Sequence, residues 1–122
     1  MRILIVDDSL EVRNLLQYIM TGLGHAVVGH AKDGVEAVEM ALLHQPDVIT
    51  MDIHMPRMNG IEAIRALEAE GCPSRIIVIT GESEIIAKII EMKLKHVVKC
   101  LAKPFSLAEI TRTLDNIVRK CS

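Results

Sequence analysis

Aromatic side chains are nearly missing: Tyr18 and Phe105 are the two present, and there is no tryptophan. Such a chain has little surface on which to stack nucleic-acid bases or sandwich a flavin. Positive charge is not in excess either. Fourteen Lys and Arg stand against sixteen Asp and Glu, for a net charge of −2, so the charge balance carries no footprint for nucleic acid. The three cysteines, Cys72, Cys100 and Cys121, are odd in number and far apart, with no CxxC pair. That pattern indicates neither a disulfide framework nor a zinc site, and a reduced, cytoplasmic setting is the simplest reading. No apolar run approaches the roughly 18–20 residues of a membrane span, so no membrane insertion is expected. The strand pattern starts at Ile3, leaving no room for a signal peptide.

What remains is aliphatic. Half of the 122 residues are apolar, so the core must be built from Ile, Leu, Val, Met and Ala. This length suits one domain, residues 1–122, large enough to bury a core without staples. Strand-like and helix-like patterns alternate five times. The strand candidates are Ile3–Val6, Ala26–Gly29, Val48–Met51, Ile76–Ile79 and Val98–Ala102. Three are unbroken apolar runs, as expected of parallel strands covered on both faces; the second is weak, which fits a sheet edge. Between the strands, apolar residues recur at helical spacing. Val12, Leu15, Leu16, Ile19, Met20 and Leu23 form the first stripe; Ile85, Ile86, Ile89 and Ile90 the fourth; Leu107, Ile110, Leu114, Ile117 and Val118 the fifth. Asp33 with Glu36, Asn59 with Glu62, Ser83, and Ser106 with Glu109 mark helix starts. The alternation predicts an α/β fold with helices on both faces of the sheet.

Four of the apolar runs end in reactive side chains: Asp7 and Asp8, Asp52, Thr80, and Lys103 followed by Pro104. In a parallel sheet the carboxyl ends of the strands share one edge, where open α/β folds bind ligands. Three carboxylates, a hydroxyl and an ammonium should therefore converge. Two unit charges about 5 Å apart repel by roughly 3 kcal/mol at an effective dielectric near 20. Three clustered acids thus call for a cation, and magnesium suits carboxylates, waters and phosphate oxygens. A carboxylate at Asp52 can attack phosphorus, with Lys103 and Thr80 holding the phosphoryl oxygens.

These residues form a known pattern. Ile3-Leu4-Ile5-Val6-Asp7-Asp8-Ser9, Asp52-Ile53-His54-Met55-Pro56-Arg57-Met58-Asn59-Gly60, Thr80-Gly81 and Lys103-Pro104-Phe105 resemble the response-regulator receiver domain over essentially the whole chain. The likeness is to single-domain CheY-like receivers and to the receivers of chemotaxis methylesterases, particularly through Asp47 to Ala63. It implies a flavodoxin-like (βα)5 three-layer sandwich whose five-stranded parallel sheet runs 2-1-3-4-5. It further implies that Asp52 accepts phosphoryl from a histidine kinase or a small phosphodonor. Asp8, Asp52 and the backbone carbonyl of His54 would ligate Mg2+ directly, and Asp7 would act through bound water. Thr80 and Lys103 would hold the phosphoryl oxygens, the Lys103–Pro104 bond would be cis, and the side chains of His54 and Glu82 would tune the phosphoryl lifetime. The protein would be a signalling switch in two-component transduction rather than an enzyme, catalysing only its own phosphotransfer and dephosphorylation. Its output would pass through the face of the fourth helix, fifth strand and fifth helix to an unidentified partner. It would act as a monomer or weak dimer, alone or as the receiver of a larger regulator.

One position departs from the family pattern. Cys100 stands where receivers commonly carry Tyr or Phe as a switch residue, and a small thiol there should pack as a hydrophobe. Lys88, Lys93, Lys95, His96 and Lys99 concentrate charge near the output face, either as a solvated face balanced by Glu82, Glu84 and Glu91 or as a docking surface for an acidic partner. The alternative activity is a phosphohydrolase of the haloacid-dehalogenase kind, which also uses Asp, Thr and Lys. Its Asp-x-Asp motif, however, is here the adjacent pair Asp7-Asp8, and a cap domain is lacking.

Overall fold

A computed structural model of the protein describes residues 1–121; Ser122 and the side chain of Cys121 lie outside it. Ten elements alternate along the chain: β1 (Arg2–Val6), α1 (Leu10–Gly22), β2 (Ala26–Ala31), α2 (Gly34–His44), β3 (Val48–Met51), α3 (Gly60–Ala69), β4 (Arg75–Thr80), α4 (Ser83–Glu91), β5 (Val97–Ala102) and α5 (Leu107–Cys121). All neighbouring strands pair in parallel, in the order β2-β1-β3-β4-β5. This is the flavodoxin-like arrangement that the resemblance implied.

The unbroken apolar runs are explained by burial on both faces. Ile3–Val6, Val48–Met51 and Ile76–Thr80 are buried throughout. Their side chains alternate between two cores, as a pleated strand requires. Leu4, Val6, Ile49, Met51 and Val78 meet Ala37, Ala63, Ile64, Leu67 and Ile89 from α2, α3 and α4. Ile3, Ile5, Val48, Ile77 and Ile79 meet Leu16 and Met20 from α1 and Ile110, Leu114 and Ile117 from α5. Each such residue contributes at most about 2–3 kcal/mol. The weak second strand does lie at the sheet edge, and it runs two residues past Gly29 because Val6 pairs with Ala31.

Helix starts follow the sequence signals with two corrections. Asn59 and Glu62 form a reciprocal capping box at α3, and Ser106 and Glu109 exchange the same pair of bonds before α5. Asp33 caps α2 by accepting from the Glu36 N–H, but the Glu36 carboxylate reaches back one residue further, to the Lys32 N–H. Ser83 does not cap α4. The cap position is Glu82, and it makes no side-chain cap bond.

Five residues of the expected stripes face solvent: Leu15, Leu23, Ile90, Leu107 and Val118, with Leu15 50% exposed, Ile90 64% and Leu107 59%. Successive residues lie about 100° apart around a helix, so with Leu16 pointing at the sheet its neighbour Leu15 falls on the shoulder. The same spacing puts Ile90 off the sheet beside buried Ile89. Among the described residues no helix is long and apolar enough to cross a membrane.

Candidate functional site

Each proposed site residue is placed by the strand that precedes it. Asp7 follows β1, and its N–H donates to the Ala31 carbonyl at 3.0 Å. Asp52 follows β3, with its N–H donating to the Val6 carbonyl at 3.0 Å. The ladders of the neighbouring strands thus extend just far enough to fix both acids. Asp7, Asp8 and Asp52 each offer an oxygen within 4.8 Å of the others. Lys103, one residue past β5, reaches back so that its ammonium donates to Asp7 Oδ2 at 2.8 Å and lies 3.7 Å from Asp52 Oδ2. Four of the five residues in the strand-end argument, Asp7, Asp8, Asp52 and Lys103, meet although they are spread over most of the chain.

The two buried acids are not equivalent. Asp7 Oδ2 holds the lysine while Oδ1 accepts from the Ser9 N–H at 2.9 Å. Asp52 Oδ1 accepts from the Ile53 N–H at 2.9 Å, and among the described residues its other oxygen has the longer approach of the lysine at 3.7 Å. Burial pushes the Asp52 carboxyl up to about 6, and the nearby Asp7 charge adds to the effect; Lys103 and the Ile53 N–H oppose it, and Asp8 reinforces it slightly. Asp52 is therefore the undercompensated member, and Asp8 is exposed beside it. Converging hard oxygens with negative charge left over match a divalent cation that retains some of its water. The residues present fit magnesium.

Thr80 ends β4 and is fully buried. Its hydroxyl accepts from the Glu82 N–H at 3.2 Å, and its carbonyl accepts from the Lys103 N–H at 2.8 Å, which ties the ends of β4 and β5 together. The Lys103–Pro104 peptide bond is cis. His54 Nε2 lies 3.1 Å from Glu82 Oε2, both side chains being more than half exposed. The two positions thought to tune lifetime are thus joined to each other, one from the loop after β3 and one from the start of α4. Cys100 is half-buried and packs against the core beneath α4, where burial pushes its thiol up and the Lys99 charge acts in the opposite direction. Of the basic group, Lys88, Lys93, Lys95 and Lys99 are exposed and His96 is half-buried.

Three contacts around the pocket were not read from the sequence. Arg13 Nη1 donates to the Asp7 carbonyl at 2.7 Å, and Arg57 forms an ion pair with Asp33 at 2.9 Å. Gly60 lets α3 start against the acceptor loop, for a Cβ there would lie 2.2 Å from the Asp52 carbonyl oxygen. The glycine was a signal in plain view; the arginine partners had none.

Comparison with known proteins agrees with this geometry. The chemotaxis protein CheY of Thermotoga maritima is 36% identical over 118 residues, which cover 95% of this chain and 96% of that protein. A protein-glutamate methylesterase/protein-glutamine glutaminase of the same organism is 43% identical over 112 residues, 90% of this chain, which spans about a third (32%) of that relative's length. In the crystal structure of the CheX-CheY-BeF3-Mg2+ complex from Borrelia burgdorferi, one chain matches with a TM-score of 0.81 at 29% identity, covering 96% of this chain and 88% of that one. The family described as the response regulator receiver domain matches residues 3–115. The chain therefore belongs to the response regulator receiver family, of the kind found in CheY and chemotaxis methylesterases.

Proposed function

We propose that residues 1–122 form a receiver that works as a Mg2+-dependent phosphoacceptor switch in the cytoplasm, with Asp52 as the acceptor. The observation that carries this reading is the asymmetry of the acids: Asp7 is occupied by Lys103, while Asp52 keeps an oxygen short of partners and a raised pKa. Asp8, Asp52 and the His54 carbonyl would hold the cation, with Asp7 contributing through bound water. When bound, Mg2+ shields the charges of donor and acceptor as they approach. An Asp52 oxygen forms the new bond to phosphorus as the P–N bond of a phosphohistidine donor breaks, and the departing imidazole nitrogen takes a proton. Lys103 and Thr80 then hold phosphoryl oxygens by charge and by hydrogen bond. Water later attacks the phosphorus and frees the Asp52 carboxylate, at a rate set by His54 and Glu82. Residues 1–122 act as a signalling module, alone or as the receiver of a larger regulator, and catalyse only their own phosphotransfer and dephosphorylation.

Its partners are a histidine kinase and an output protein docking on α4, β5 and α5. The exposed lysines at 88, 93, 95 and 99 favour an acidic partner surface. Treatment with Mg2+ and acetyl phosphate or phosphoramidate should raise the intact mass by one phosphoryl group, and Asp52→Asn should abolish the gain. Persistent labelling in that variant, or labelling that ignores chelation of Mg2+, overturns the assignment.

A further inference from the structure

We propose that Asp33 and Arg57 form a clamp that positions the loop between β3 and α3, so that this loop can present the Asp52 carboxylate and the His54 carbonyl to a divalent cation. The inference rests on the phosphoacceptor reading above and assigns roles to two residues that the reading leaves unused.

The loop runs from Asp52 to Asn59 and is tied at its ends by backbone bonds, Asp52 N–H to the Val6 carbonyl and Gly60 N–H to the Ile53 carbonyl at 2.8 Å. Its middle has no strand or helix to hold it. Met55 and Met58 pack against the core and His54 pairs with Glu82, and two further contacts tie the loop to the start of α2. The Gly34 N–H donates to the Met58 carbonyl at 2.9 Å. Arg57 Nε donates to Asp33 Oδ2 at 3.0 Å, and Arg57 Nη2 approaches the same oxygen at 2.9 Å. A lysine could not reproduce that two-nitrogen approach.

The carboxylate is well suited to this work. Asp33 is 2% exposed, and its other oxygen accepts from the Glu36 N–H at 2.8 Å, so the helix cap fixes the group that holds the arginine. Its carboxyl stays ionised: burial works against the charge, but the Glu36 N–H and Arg57 outweigh it and lower its pKa. The arrangement is close-packed as well. A Cβ at Gly34 would lie 2.2 Å from the Met58 carbonyl oxygen, so helix and loop leave no room for slippage. Arg57 itself has φ +66°, a backbone region that residues with a Cβ rarely enter. An arginine is held there by its surroundings, and Asp33 is the group that its side chain meets.

A solvent-exposed guanidinium that merely decorated the surface would leave metal binding alone. Partners that orient a metal's ligands typically change affinity by about 10–100-fold when removed. Arg57→Gly separates the two explanations, because glycine accepts the positive φ without strain yet removes the clamp. The experiment measures Mg2+ affinity of the full chain by calorimetry, and hydrogen exchange of residues 53–59 in chelator-treated protein. Arg57→Gly, Arg57→Lys and Asp33→Asn are compared with wild type. Arg2→Ala serves as control, since it removes side-chain bonds to the His44 and Gln45 carbonyls at the far end of α2.

Arg57→Gly and Asp33→Asn should each weaken Mg2+ binding about tenfold and speed exchange of the loop amides in the absence of metal. Arg57→Lys should fall between them and wild type, and Arg2→Ala should lower the melting temperature with affinity unchanged. Wild-type affinity in Arg57→Gly, with protected loop amides, overturns the clamp and leaves the phosphoacceptor reading intact. If wild-type protein binds no Mg2+, the functional reading fails first, and any loss of amide protection in the variants then shows a clamp that serves the loop alone.

Discussion

Helices α3 and α4 both follow strands that end in site residues, yet they are held very differently. α3 begins with a full capping box and buries Gly60, Ala63, Ile64 and Leu67. α4 begins at Glu82 with no side-chain cap bond and buries Ile89 alone. The loop before α3 is also locked to α2, whereas the side-chain tie across to the start of α4 is the exposed His54–Glu82 pair, a kind of contact that contributes about 0–1 kcal/mol. The acceptor stands on a fixed platform and the hydroxyl side on a lightly held one. A single phosphoryl group can bias a segment only if its alternative positions differ by a few kcal/mol. In the proposed switch, the difference between the helices would put that small gap on the side of Thr80 and α4.

The comparison is broken most severely at the glycines. Gly60→Ala should destabilise the protein by about 3 kcal/mol or prevent folding, because its Cβ would sit 2.2 Å from the Asp52 carbonyl oxygen. Gly81→Ala, before α4, meets nothing within 4 Å and should be neutral or stabilise by up to about 1 kcal/mol. Urea unfolding of both variants checks the contrast, and equal losses would erase the distinction between the two loops.

A smaller effect of unusual sign is expected at the acids. Asp52 goes from an ordinary carboxyl value of 3.8 to about 6 on folding. The folded state holds that proton more tightly, so this group's contribution to stability is full below pH 4 and is lost as the pH rises through 6. Asp52→Asn should therefore stabilise metal-free protein at pH 7 by about 2–3 kcal/mol and have much less effect near pH 4. Asp7→Asn should do the opposite at pH 7, since it removes the partner 2.8 Å from Lys103. Melting curves at the two pH values decide it. Protons also compete with the cation for Asp52, so Mg2+ affinity should decline as the pH falls below 6.

The last contrast is in the caps. Asn59→Ala should cost about 1 kcal/mol and loosen α3. Glu82→Asp, which offers α4 the cap it lacks, should gain up to about 1 kcal/mol and raise amide protection in α4 alone. A gain spread over the whole molecule would mean that α4 was never the looser helix.

Much of this was legible in the residues. The apolar runs place five strands to within two residues, and the side chains that end them foretell which groups meet. What escaped depends on turn geometry. Asp33 reads as a helix cap, and nothing in its neighbours indicates that its second oxygen receives an arginine 24 positions later. That contact needs Arg57 in a conformation usually left to glycine, asparagine or aspartate, so the usual turn signal is missing. The inequality of Asp7 and Asp52 was also hidden, because two acids at strand ends look alike until the lysine is placed. Stripe edges failed for a simpler reason: Leu15, Ile90 and Leu107 keep the helical period but lie where the sheet does not reach.

Under the proposed phosphoacceptor role, the placing of the Lys103 ammonium has a consequence for how quickly and reversibly the switch would work. With its side chain only 25% exposed and already seated on one anion, the amine is partly desolvated before any signal arrives. Moving to a newly charged neighbour on the adjacent acid is an exchange of hosts, with less fresh stripping of water and no long journey. When the phosphate leaves, Asp7 is waiting to take the cation back.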